Sequence, residues 1–374
     1  MKEQEDLKSF LTFYKESTKR LQKAVRGYNR QLKKDPNPII RMFKEDLADL
    51  NEGGKMLRGT LIALGYHLSG HGDPEVCDPL AIGYELFQTS VLIHDDIIDN
   101  AELRRGKYTV QHRYEHRLEV RGIKMLAQVD GPRDVARSAA LCTGDLGLYY
   151  ANQYIVNAYR YNPLLGELLA YFDETVINTM RGEVLDVVLP YELQDVSYDE
   201  EKRKELLETS VRDIYHLKTS CYSVIGPLHL GMMLGEMPPE QMRAVDRFAD
   251  DLGIAYQIMD DILGIYAEEG YLGKDVGSDI VEFKQTILWM YVRTTNPEAT
   301  EELLQYYGKK KVTKKDLEAV RRIFQASGAL EYAKDTMDAC FARARRKLAR
   351  MSFLSEEDKA ILRGFITWCS GRSK

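Results

Sequence analysis

The chain has 374 residues, a net charge of −6, 44% hydrophobic residues and 29% charged ones. That balance suits a globular protein with a sizeable core and excludes the basic footprint of a nucleic-acid-binding domain, though not an anionic small substrate held by local basic clusters. Five scattered cysteines, Cys77, Cys142, Cys221, Cys340 and Cys369, form no C-x-x-C pair and read as reduced thiols of a cytoplasmic protein.

The start, MKEQEDLKSF, is too charged for a signal peptide. In Ile39–Leu50 the apolar positions Ile39, Ile40, Met42, Phe43, Leu47 and Leu50 form a helical stripe, and Pro38 suits the first helical turn. Next comes Gly53-Gly54-Lys55-Met56-Leu57-Arg58-Gly59. Paired glycines let backbone approach a phosphate, and Lys55 and Arg58 lie three apart; a helix boundary with two solvated cations explains the same letters. Leu80–Ile98 is apolar nearly all round, as in a helix at the centre of a bundle.

That helix ends in His94-Asp95-Asp96-Ile97-Ile98-Asp99. Asp95 and Asp99 are four apart and share a face, while Asp96 points elsewhere. Carboxylates at the end of an apolar helix are costly unless solvated, paired or bound to metal. Gln88 lies two turns before Asp95, about 10 Å along the same face. Arg104-Arg105-Gly106 follows five residues beyond Asp99, as if to reach two different anions. Gln111–Arg133, with mixed charge and two glycines, reads as an irregular connection.

Lys218-Thr219 sits in another helical segment. Cys221–Leu234 is the least polar long stretch, but Pro227 and His229 interrupt it. It falls short of the roughly 20 apolar residues a membrane span needs. Gln257-Ile258-Met259-Asp260-Asp261-Ile262-Leu263 again puts paired acids in an apolar helix. Two such acidic clusters suit hard, oxygen-liganded cations, and magnesium completes its octahedron with water and substrate phosphate. A di-iron bundle would need Glu-x-x-His on two helices, and no histidine here has Glu three positions before it. Lys274 and Lys284 follow the second cluster. Gly308–Lys315 carries five lysines and reads as a solvated turn, with a helix start at Thr313 and Asp316. No repeat or linker is visible, so residues 1–374 are expected to form one all-α domain.

Taken in order, these residues resemble the trans-isoprenyl diphosphate synthases, the polyprenyl synthetase family. Asp95, Asp96 and Asp99 match its first D-D-x-x-D, continuing into Leu103–Gly106. Gly53–Arg58 matches G-G-K-x-x-R, and Lys218-Thr219 its Lys-Thr pair. Tyr256–Leu263, Gly273–Asp279 and Lys284 match the second region. The resemblance implies a helical bundle around a prenyl-binding cavity, the isoprenoid synthase fold. It also implies a homodimer, magnesium with three ions per site, and the substrates isopentenyl diphosphate and an allylic prenyl diphosphate.

Carried over residue by residue, the resemblance gives Asp95, Asp99 and Asp260 to magnesium, supported by Asp96 and Asp261. Arg104, Lys218, Lys274 and Lys284 would contact the allylic diphosphate. Lys55, Arg58, Gln88 and Arg105 would hold isopentenyl diphosphate, and Thr219 and Gln257 would face the reacting carbons. Two positions depart from the pattern. Gly264 stands where many members have a third Asp of the second motif, and Glu183 replaces a usual Gln three residues before Asp186.

Reading back from Asp95, Ser90 and Val91 are small and the first large cavity-facing side chains are Phe87 and Tyr84. Moving a floor from Ser90 to Phe87 deepens a tunnel by about 4.5 Å of helix rise, roughly one isoprene unit. The expected product is therefore geranylgeranyl diphosphate, with a longer polyprenyl product as the alternative, and Ser90→Phe is expected to shorten it. A class I terpene cyclase would share the metals but has no use for Lys55, Arg58 and Arg105. A non-catalytic regulatory subunit would lose its acidic motifs. The expected protein is a cytoplasmic enzyme that inserts stably into no membrane and binds no nucleic acid.

Overall fold

The computed structural model describes residues 2–121, 131–267 and 276–371. The described residues are overwhelmingly helical, and the strands among them are a two-residue pair, Leu103–Arg104 and Lys107–Tyr108. Two compact units are present. One comprises Tyr14–Leu169 and Leu230–Gly235; the other comprises Met1–Phe13, Ala170–His229 and Glu236–Lys374.

The first unit is organised by the helix Asp78–Ile98. It is buried on nearly every side, with Leu80, Ala81, Tyr84, Leu86 and Phe87 excluded from solvent, as its apolar circumference requires. Each of the large side chains among these contributes roughly 1.5–3 kcal/mol. The helix Pro132–Tyr159 packs along it, and small residues set the approach. A Cβ on Gly147 would lie 2.2 Å from the Ser90 hydroxyl, and one on Gly144 would lie 2.3 Å from His94 Nε2. The expected stripe over Ile39–Leu50 is the helix Pro38–Glu52, which Asn37 caps by accepting from the Ile39 and Ile40 amides.

The expected irregular connection over Gln111–Arg133 needs correcting. Val110–Val120 is helical and Pro132 opens the next helix, while residues 122–130 lie outside the described ones. The mixed charge that suggested a loop belongs to helix contacts. Arg113 and Arg117 both pair with Asp46, which is buried, while Leu118 packs inward.

In the second unit the helix Pro239–Tyr266 packs against Ala329–Ala349 and against a π-helix, Tyr215–Ile225. Gly253 permits the latter contact, since a Cβ there would meet Ser220 Cα at 2.5 Å. Phe10 stacks on Phe365 with ring centroids 5.0 Å apart, fixing the start of the chain on the helix Glu356–Ser370. Thr313 and Asp316 form the expected capping box. No helix among the described residues is long and apolar enough to cross a membrane.

Candidate active site

In the first unit a partly exposed stripe runs along the mostly buried helix Asp78–Ile98, with His94 and Ile98 also accessible to one side of it. Gln88, Leu92, Asp95 and Asp99 are partly exposed, while Val91, Ile93, Asp96 and Ile97 are buried. The spacing of four, three and four residues keeps the stripe on one helical face. Asp95 and Asp99 therefore present carboxylates to solvent.

Asp96 turns inward to Arg104, which donates from Nε at 2.7 Å and Nη2 at 2.6 Å. Asp95 Oδ2 lies 3.8 Å from the same Nη2. Burial alone would depress the Arg104 guanidinium. Asp96, with Asp95 and Asp99 behind it, instead holds the guanidinium above its ordinary pKa.

Arg105 and Gly106 both have positive φ, 54° and 74°, the condition for a two-residue turn that matches strand twist. That turn divides the arginine pair: Arg104 points to Asp96, and Arg105 Nη1 donates to the Leu50 carbonyl at 3.3 Å. A Cβ on Gly53 would sit 3.1 Å from that same nitrogen. Arg105 thus lies on the Gly53–Arg58 segment, where Lys55 is exposed and Arg58 half-buried. Burial lowers the Arg105 pKa, and Arg104 and Arg58 lower it further against Glu85.

Sequence reading missed Glu85. It is only 3% exposed and accepts from the Gly59 amide at 2.8 Å. The signal was available, because an ionisable residue inside an otherwise apolar helix must have a partner.

Ser90 departs from its expected role. It is fully buried, its hydroxyl donates to the Leu86 carbonyl, and it faces Gly147. Five residues from Asp95 turn it roughly 140° around the helix, away from the accessible stripe. Ser90→Phe would therefore collide with the neighbouring helix and is a poor test of product length. Phe87 and Tyr84 are fully buried and pack edge to face with centroids 5.4 Å apart.

In the second unit Asp260 and Gln257 are partly exposed and Asp261 is buried. Asp261 accepts from Gln257 Nε2 at 2.8 Å and from the Tyr215 hydroxyl, which itself accepts from the Ile287 amide at 2.7 Å. Burial, reinforced by Asp279, pushes the Asp261 carboxyl up to about 7. Thr219 donates to Gln257 Oε1, so the two residues expected at the reacting carbons touch each other. Lys218 is held by Asp186 at 2.6 Å and Glu183 at 2.8 Å. Gly182 allows this approach, since a Cβ there would lie 2.5 Å from Lys218 N. Lys284 pairs with Glu282 at 2.7 Å. Lys274 lies outside the described residues.

Beside Lys218, His216 Nδ1 lies 2.8 Å from Asp250 and Nε2 lies 3.4 Å from Cys221 Sγ. The Asp250 hydrogen bond, aided by Cys221, pushes the imidazole up from 6.5 to about 10. A raised folded-state pKa means the native protein holds this proton more tightly. The stabilisation is complete below about 6.5 and is lost as pH rises toward 10. The urea midpoint is expected to fall across that window, and His216→Gln is expected to flatten the fall. An unchanged slope in the variant would show that other groups carry it.

Among the described residues no three His, Cys, Asp or Glu side chains form a ready-made metal cage. The accessible carboxylate pair Asp95 and Asp99 still fits magnesium, which takes few protein oxygens and keeps sites for water and phosphate.

These units carry the fold of the isoprenoid synthases. Over 96% of this chain and 98% of the other, it superposes with a TM-score of 0.83 and 23% identity on a geranylgeranyl pyrophosphate synthase from Corynebacterium glutamicum, solved with isoprenyl diphosphate and magnesium. The polyprenyl synthetase family model matches residues 41–324, and the chain belongs to that family of trans-prenyltransferases. A short chain isoprenyl diphosphate synthase of Methanocaldococcus jannaschii is 29% identical over 75% of each chain. A geranylgeranyl diphosphate synthase of Sulfolobus acidocaldarius is 28% identical over 85% of this chain and 87% of its own. Relatives named for geranylfarnesyl and heptaprenyl diphosphate also match.

Proposed function

We propose that this enzyme uses magnesium to condense isopentenyl diphosphate with an allylic diphosphate, and that its main product is geranylgeranyl diphosphate. The reading rests on one observation above all: Gln88, Asp95 and Asp99 share one partly exposed face of a helix that is apolar and mostly buried. Asp95, Asp99 and Asp260 are the carboxylates for the metal. When bound, magnesium supplies Lewis-acid charge to the departing diphosphate.

The chain's own groups do the rest. Lys218, Lys284 and Arg104 receive the allylic diphosphate, and Lys274 has the same role by its motif. Arg104 has five donors, so its bond to Asp96 leaves others for phosphate oxygen. Their charge stabilises the leaving group while the allylic C–O bond breaks. Lys55, Arg58, Gln88 and Arg105 hold isopentenyl diphosphate so that its double bond attacks the allylic carbon. The departing diphosphate accepts the proton lost as the new double bond forms. Apolar walls exclude water that would quench the cation. The Phe87–Tyr84 pair is the floor that limits chain growth.

The test is a mass-resolved product assay with isopentenyl diphosphate, magnesium and each short allylic starter. Twenty-carbon diphosphate is expected to dominate. Mainly longer products would remove Phe87 as the floor, and no incorporation of isopentenyl diphosphate would end the reading.

The active form is a homodimer. Supporting this, the helix Leu165–Glu192 exposes Ile177, Val184, Val188 and Tyr191 along one face, with Val184 at 61% and Tyr191 at 73%, an apolar strip of the kind a second copy covers. Light scattering is expected to give twice the chain mass, and a monomer mass at working concentration would count against it.

A further inference from the structure

The helix Leu57–Leu68 begins without a cap of its own. Its N-cap residue is Met56, strained at φ 53° and giving no side-chain hydrogen bond. A helix start leaves several amides without partners, and one left bare inside the protein is costly. Glu85, on the helix Asp78–Ile98, fills the gap from outside by accepting from the Gly59 amide at 2.8 Å. A carboxylate at that end also suits the helix dipole.

The surroundings are shaped around this carboxylate. A Cβ on Gly59 would meet Glu85 Oε1 at 3.3 Å, and one on Gly54 would meet Oε2 at 3.5 Å. The two glycines flanking Lys55 and Arg58 thus lie against the two oxygens of one side chain. Burial raises the Glu85 pKa, while the Gly59 amide, Arg58 and Arg105 oppose the rise. Among the described groups, Gly59, Arg58 and Arg105 are therefore its electrostatic neighbours.

We infer that Glu85 is a positioning residue: by capping the helix Leu57–Leu68 from a neighbouring helix, it sets where Lys55, Arg58 and Arg105 meet isopentenyl diphosphate. This rests on the assignment of those three cations under the proposed function. It adds a residue that touches neither substrate. Because Glu85 already occupies the Gly59 amide, the diphosphate is gripped by side chains and not by that amide.

Two measurements test it. Hydrogen exchange without substrates is expected to show at least about tenfold less protection of the Gly59 amide in Glu85→Ala, and near-native protection in Glu85→Gln, whose amide oxygen still accepts. Steady-state kinetics are expected to show KM for isopentenyl diphosphate up at least about tenfold in Glu85→Ala, KM for the allylic substrate within twofold, and substantial recovery in Glu85→Gln. Should Glu85→Ala fail to fold, Glu85→Asp, which withdraws the carboxylate by one methylene, is expected to show the same split to a lesser degree. An unchanged Gly59 amide, or equal rises in both KM values, would overturn the inference. Arg105→Ala separates the two levels of the reading. If it leaves KM for isopentenyl diphosphate unchanged, the site assignment itself fails and the positioning role falls with it, whatever the exchange data show.

Discussion

Asp95→Asn is expected to lower kcat by about 10²–10³-fold, the scale of losing one electrostatic stabiliser of a developing charge, with little loss of thermal stability. Asn keeps the shape but removes a hard anionic ligand. Asp95 sits on the partly exposed stripe with 21% of its side chain accessible, and its ion pair with Arg104 is long at 3.8 Å, so losing its charge is expected to cost the fold little beside the loss at Asp96. Asp96→Asn is the contrasting case. Asp96 is 4% exposed and takes two donors from Arg104. Breaking a buried pair of this kind costs about 3–5 kcal/mol, so its first effect is expected on the melting temperature. Kinetics at saturating magnesium and a thermal melt on both variants separate the two roles. Equal losses of stability would mean that Asp95 is structural.

Gly264→Asp is the second informative change, because it restores the third aspartate of the fuller motif. It is nevertheless expected to reduce activity at least about tenfold. A Cβ on Gly264 would lie 2.5 Å from Asp279 Oδ2, and Asp279 is itself buried. The place of a side chain at 264 is already taken by a carboxylate from the short helix Ser278–Val281. A further carboxylate would also face Asp261, whose proton affinity Asp279 already helps to raise. Overpacking of this kind typically costs about 1–3 kcal/mol. Gly264→Ala isolates the steric part and is expected to be the milder of the two. A gain of activity in Gly264→Asp would show that Asp279 moves aside freely and that the motif is merely incomplete.

Much of the site was legible because it obeys helical periodicity. Four-residue spacing alone put Asp95 and Asp99 on one face and turned Asp96 away, and the structure agrees. The apolar run Leu80–Ile98 could only be a buried helix. What escaped depends on contacts across the sequence. The Gly53–Arg58 letters gave no hint that their geometry is held by Glu85, 26 residues downstream of Gly59. Arg104 and Arg105 are expected from the sequence to reach different anions, but the device that separates them, a turn with two positive φ values, is not legible there. Gln111–Arg133 reads as irregular from its mixed charge and two glycines, whereas Asp46 gathers two of its arginines, Arg113 and Arg117, along one helix. Ser90 was assigned to a cavity by its nearness to the motif, when its angle around the helix assigns it to Gly147.

The wide coil at Tyr215–Ile225 carries Lys218 and Thr219. Its five-residue register is what an ordinary helix lacks. Deleting one residue there would let the segment tighten into the common form and turn Lys218 and Thr219 away from their present partners Asp186, Glu183 and Gln257. Such a shortened enzyme would keep its circular-dichroism spectrum and all its recognisable signatures while misdirecting the groups that handle substrate. Length within this stretch is therefore itself a functional constraint, one that inspection of motifs alone would pass over.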